Sequence, residues 1–116
     1  MATLAVEGDR IVLHLSLLER IGGVVGGDID APLAAVTAVR VAPDPSRELR
    51  GIRSPGTGWP GVIALGHRRG SGVHDFAAVY HNRAAVVVEL QGQRFDRLVV
   101  SCDEPQAVAA AIPVDS

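Results

Sequence analysis

From Ala2 to Leu15 the hydrophobic positions recur with period two. Ala2, Leu4 and Val6 share one face, Ile11, Leu13 and Leu15 share another, and Gly8-Asp9 lies between the two runs. This predicts a β-hairpin, because glycine takes the positive φ of a two-residue turn at no steric cost. Ser16-Leu17-Leu18-Glu19 has the spacing of a capping box and Gly22-Gly23 follows, which predicts a helix of one to two turns. Residues 24–31 predict a short edge-like strand stopped by Pro32, which has no N–H to give to a ladder. Residues 36–41 alternate again and predict a fourth strand.

Residues 42–61 change character, holding four of the seven prolines and four glycines, and predict a long ordered loop. Loops of that length inside a small domain are often functional, so this segment is the first place to look for a site. Beyond it, residues 62–67, 73–80, 84–90 and 94–101 read as strands separated by the turn-forming segments R-R-G-S-G, H-N-R and Q-G-Q. Short turns of this kind predict an antiparallel meander in which sequence neighbours pair. Asp103-Glu104-Pro105 predicts a helix start with an acidic cap and an early proline. Ala107, Val108, Ala111 and Ile112 then form an apolar stripe that must bury against the strands, and Pro113 ends the helix.

At 116 residues the chain has room for one domain, spanning 1–116. Its apolar fraction of 47% against 21% charged residues is that of a chain that folds. The formal charge of −2 gives no overall attraction to nucleic acid or anionic lipid. No apolar run approaches the ~20 residues of a membrane-spanning helix. Glu7 and Asp9 interrupt the N-terminus before any signal-like segment, so a cytoplasmic location is expected. Cys102 is the single cysteine, which excludes an intrachain disulfide and suits a small core residue. All eleven basic residues are arginine, a composition expected of a high-GC bacterial genome.

Several stretches taken together resemble a family of small bacterial proteins with a pleckstrin-homology-like (PH-like) domain. They are D-A-P-L-A-A-V-T-A-V from Asp30, L-R-G-I-R-S-P-G-T-G-W-P-G-V-I-A-L-G from Leu49 and D-F-A-A-V-Y from Asp75. V-V-V-E-L-Q-G-Q-R-F-D-R-L-V-V-S from Val86 and D-E-P-Q-A-V-A-A-A from Asp103 complete the set. The resemblance implies a mainly β fold: a small, strongly bent antiparallel β-barrel of about seven strands, one end plugged by the C-terminal helix. The family carries no established reaction, so the resemblance supplies a fold and little function.

Among the histidines, His67 and His74 flank the R-R-G-S-G turn, where two imidazoles and the neighbouring Asp75 could meet. Period two puts His74 and Asp75 on opposite faces, however, and Cys102 is too distant in sequence to complete a recognisable ligand set. Solvent-facing hairpin residues, with no metal and no cofactor, are the expectation. Ser54, Thr57, Ser71, Ser101 and Cys102 sit in no activating motif, so no enzymatic activity is expected. Residues 40–69 carry a local charge of +4 from six arginines against Asp44 and Glu48. Nucleic-acid binding is not expected, since the few aromatics fall mostly on strands. Trp59, flanked by Gly58 and Pro60, is either a loop anchor or an interface aromatic.

Two functions follow as expectations. One is a non-catalytic interaction domain that uses the 42–61 loop with Trp59, or an exposed strand edge, to bind a protein partner or its own copy. The other is an anion or lipid-headgroup binder at the barrel mouth, using Arg50, Arg53, His67, Arg68 and Arg69.

Overall fold

The Gly-Asp pair forms the predicted turn, with Gly8 at φ +63°. It joins β1 (Thr3–Glu7) to β2 (Arg10–His14) in a register running from Glu7 opposite Arg10 to Thr3 opposite His14. The computed structural model describes residues 2–16, 28–44, 52–53, 62–70, 72–80 and 83–114. β3 (Ile29–Pro32) adds to β2 to complete a three-stranded sheet in the order β1-β2-β3. Pro32 thus ends an edge strand, where its missing donor breaks no ladder. A 3-10 turn over Leu33–Ala35 follows, tied back when the Leu33 N–H donates to Asp9 O at 2.8 Å. Alternation buries Leu4, Ile11, Leu13, Ile29 and Ala31 on the inner face of this sheet.

The second sheet contains β4 (Val36–Ala42), β5 (Ile52–Arg53), β6 (Val62–Gly70), β7 (Val73–Tyr80), β8 (Ala85–Leu90) and β9 (Arg97–Ser101). Its order is β4-β8-β9-β7-β6-β5, which corrects the simple meander. β7 and β8 are neighbours in sequence but do not pair. β9 lies between them, antiparallel to β8 and parallel to β7 from Asp75 opposite Arg97 to Ala78 opposite Val100. The four residues joining β7 to β8 can span about 13 Å, more than two strand spacings of about 4.8 Å, so the chain can step over a strand.

Burial rewards the step. Val86, Val87, Val88, Val99, Val100 and Ser101 are at most 1% exposed, so β8 and β9 are covered on both faces. Continuous rather than alternating apolar runs mark such interior strands. Phe76, Ala78, Val86, Val88, Leu98 and Val100 join the core that includes the three-stranded sheet. Ala77, Val79, Ala85, Val87 and Val99 form a second cluster with Ala42.

The parallel seam is pinned at both ends by polar groups. At its start the His74 N–H donates to Asp96 Oδ2 at 2.8 Å and the Asp96 N–H donates to His74 O at 2.7 Å. At its finish the Tyr80 N–H donates to the hydroxyl of fully buried Ser101 at 2.9 Å.

The two sheets are not closed into a barrel, which corrects the expected closure, and the described residues form nine strands where about seven were expected. The C-terminal helix, α1 (Pro105–Ala111), packs against β1, β4 and β8, with Val108 and Ala109 on the main core. Pro105 opens it as predicted. The acidic cap does not form, because the Glu104 side chain makes no cap hydrogen bond. Asp103 instead pairs with Arg83. The helix predicted after Ser16 and most of residues 42–61 lie outside the described residues, although Ile52–Arg53 forms β5 against β6. Among the described residues, no helix is long and apolar enough to cross a membrane.

Candidate functional site

The β6–β7 hairpin turns at Gly72, φ +73°, and its register sets His67 opposite Phe76, Arg68 opposite Asp75 and Arg69 opposite His74. His67 and His74 are therefore diagonal neighbours on one face, within reach of each other. His67 Nδ1 and His74 Nε2 lie 2.8 Å apart, with ring planes 18° from parallel and centroids 5.0 Å apart. That separation is about two imidazole radii plus one hydrogen bond, so the rings meet edge to edge rather than stacking face to face. Phe95 approaches both imidazoles, at 5.3 and 4.7 Å, and Phe76 stands edge-on to His67. The Arg94 guanidinium sits 5.0 Å from the Phe95 ring.

These histidines are not the solvent-facing hairpin residues expected, for His67 is only 8% exposed. Phe95, delivered by the β8–β9 connection, packs over the pair, and a contact so distant in sequence leaves no periodic signal. Asp75 stays on the opposite face, as period two required, and is buried. Among the described residues, no group of three or more histidine, cysteine, aspartate or glutamate side chains is placed to hold a metal.

Of the expected anion set, only His67 and Arg68 have described side chains. They are consecutive in β6 and point to opposite faces. Register pairs Arg53 with Arg68 and Ile52 with Arg69 along β5 and β6. Arg50 and Trp59 lie outside the described residues.

A different feature has the shape of a binding site. β1 is the outer strand of its sheet, and a groove runs between it and α1. One part, about 550 Å³, is lined by Ala2, Thr3, Leu4, Cys102, Asp103, Glu104 and Val108. The next, about 350 Å³, shares Leu4 and Val108 and continues along Val6, Ala107 and Ala111. In a two-residue hairpin the residues flanking the turn, here Glu7 and Arg10, form the bonded pair. By alternation Ala5 and Thr3 also bond to β2, which directs the backbone N–H and C=O groups of Leu4 and Val6 toward the outer edge. The floor is apolar and Glu104 marks one end. Burial pushes the Cys102 thiol up from its usual range, which disfavours the thiolate, and Sγ donates to Val100 O at 3.4 Å.

The exposed face of the same sheet carries an ionic cluster. His14 Nε2 pairs with Glu7 and Nδ1 lies 2.8 Å from Asp28, so the protonated ring donates to both carboxylates, while Asp28 also accepts the Leu15 N–H at 2.9 Å. The hydrogen bonds to Glu7 and then Asp28 raise the His14 pKa. Arg10 pairs with Asp30 at 2.8 Å. Comparison with protein-family models, with curated proteins and with solved structures finds no match to this chain.

Proposed function

We propose that this chain is a non-catalytic interaction domain that takes up an extended segment of a protein partner beside β1. The observation that carries this is the outer strand β1 with the apolar groove against α1 along its edge. Leu4 and Val6 offer backbone groups at the spacing of a strand ladder, and the groove between β1 and α1 accepts alternate side chains. The five residues of β1 span about 16 Å, so the ligand contributes a stretch of similar length. Its composition follows from the lining: apolar residues at alternate positions over Leu4 and Val108, and a basic residue at the end occupied by Glu104. Glu104 is exposed and spends no side-chain bond on capping the helix.

Selection of a displayed random-peptide library on the purified chain tests this. Enriched sequences should alternate apolar residues beside an arginine or lysine, and their binding should slow amide exchange at Leu4 and Val6. Ala107→Arg and Ala111→Arg change exposed helix positions that line the groove, so both variants should fold and lose the selected peptides. Peptides that bind both variants as well as the parent, or that protect amides elsewhere, would refute the proposal.

A further inference from the structure

We infer that His14 is a one-proton latch on the outer strand β1: protonated, its ring bridges Glu7 of β1 and Asp28 ahead of β3, and on losing the proton it keeps Asp28 and lets Glu7 go. Three observations carry this. First, the ring lies between two carboxylates from the segments on either side of β2, with Nε2 on Glu7 and Nδ1 2.8 Å from Asp28. An imidazolium has a hydrogen for each of them. A neutral imidazole has only one, so its bare nitrogen turns a lone pair toward a carboxylate oxygen, and that contact opens.

Second, the two arms are unequal. Asp28 engages both oxygens, Oδ2 toward His14 and Oδ1 accepting the Leu15 N–H at 2.9 Å, and its side chain is 30% exposed. The Glu7 side chain is 52% exposed and, among the described residues, its carboxylate meets His14 only. The better-seated carboxylate keeps the remaining hydrogen while the exposed one swings into water. The neutral ring is then the Nδ1–H tautomer, the reverse of what imidazole favours in water.

Third, the part-exposed ring exchanges its proton with solvent in an ordinary pH range. The hydrogen bonds to Glu7 and then to Asp28 raise its pKa from 6.5, so the latch is closed below that value and opens as pH rises through the folded one. The other charged groups on this face, Arg10 of β2 and Asp30 of β3, pair with each other at 2.8 Å.

Opening acts on one ladder and spares the other. By alternation Ala5 and Glu7 bond to Val12 and Arg10, whereas Ile11 and Leu13 bond to β3. The Glu7 arm braces only the first set. β1 is also the strand beside which the partner segment was placed, so the latch sets how firmly that edge is presented; this consequence rests on the docking reading, and the latch itself does not.

The experiment uses the whole chain without ligand. Nitrogen NMR of the imidazoles and amide exchange, corrected for its intrinsic dependence on pH, are followed from about pH 5 to about pH 9. At the alkaline end His14 should be the Nδ1–H tautomer. Protection at Ala5 and Glu7 should fall by about two- to fivefold, the scale of one exposed ion pair, while Ile11 and Leu13 keep theirs. Glu7→Gln, at an exposed position, should fold and lose most of that pH dependence. A neutral His14 in the Nε2–H tautomer, a loss shared equally by Ile11 and Leu13, no loss at Ala5 and Glu7, or an unchanged pH dependence in Glu7→Gln would each overturn the latch. The outcome of the peptide selection neither rescues nor sinks it, since no peptide is present.

Discussion

Replacing Ser101 by alanine removes one oxygen from the end of β9, and its effect on stability follows from where that oxygen sits. Ser101 is fully buried, and its hydroxyl accepts the Tyr80 N–H at 2.9 Å across the parallel β7–β9 seam. Alanine keeps the backbone and fills most of the volume, so packing changes little. What changes is that the Tyr80 amide loses this acceptor inside the fold. Such a loss costs about 1–3 kcal/mol, and the half-buried position of Tyr80 places it in the lower part of that range, about 1–2 kcal/mol.

For 116 residues the unfolding entropy is about 0.24 kcal/mol per kelvin, so Tm should fall by about 4–8 °C. Thermal unfolding by circular dichroism measures it. Thr37→Ala is the matched comparison: its exposed hydroxyl donates to Glu89 O at 3.2 Å, and water can replace it there. That variant should stay within about 0.5 kcal/mol of the parent. Equal shifts in the two variants, or a Ser101→Ala shift under about 2 °C, would refute the role given to the buried hydroxyl.

Three further outcomes follow from other parts of the fold. Gly8→Ala should destabilise by about 1–2 kcal/mol in chemical denaturation, because φ is +63° while an added Cβ meets nothing within 4 Å, so the cost is backbone strain alone. Phe95→Ala, at a position 2% exposed, should cost about 3–5 kcal/mol and increase solvent access to the His67–His74 pair, read from the exchange of their ring protons. His14 contributes stability that depends on pH: its pKa is raised from 6.5 in the folded chain, so the contribution is full below the unfolded value and fades as pH rises through the folded one. His14→Gln should therefore lower Tm at about pH 5.5 and match the parent at about pH 9, with the difference shrinking in high salt.

Local physics made much of the architecture legible. Gly8-Asp9 dictated the first hairpin, Pro32 marked a strand at a sheet edge, Gly72 turned the β6–β7 hairpin, and Pro105 opened the terminal helix. Each depends on φ restrictions or missing donors that act within a few residues. Of the candidate site, the diagonal approach of His67 and His74 could be anticipated once β6 and β7 were paired. Its burial could not, since Phe95 comes from another connection. Nor could the groove: Leu4 and Val108 are far apart in the chain, and each alone is an ordinary core position.

The sequence by itself determined most of the strand segments, though not β5 inside the proline-rich stretch, together with where they turn and which faces are apolar, because those properties follow from side-chain periodicity and backbone sterics. Tertiary structure alone decided how the strands are ordered. Any of the valine-rich strands could serve at the centre of a sheet, and local preference does not distinguish a β7–β8 pair from an inserted β9. The insertion gains burial on both faces of β9 and partners for Asp96 and Ser101, contacts that exist only when distant segments meet. The same long-range packing leaves β1 at the outside of its sheet with α1 beside it.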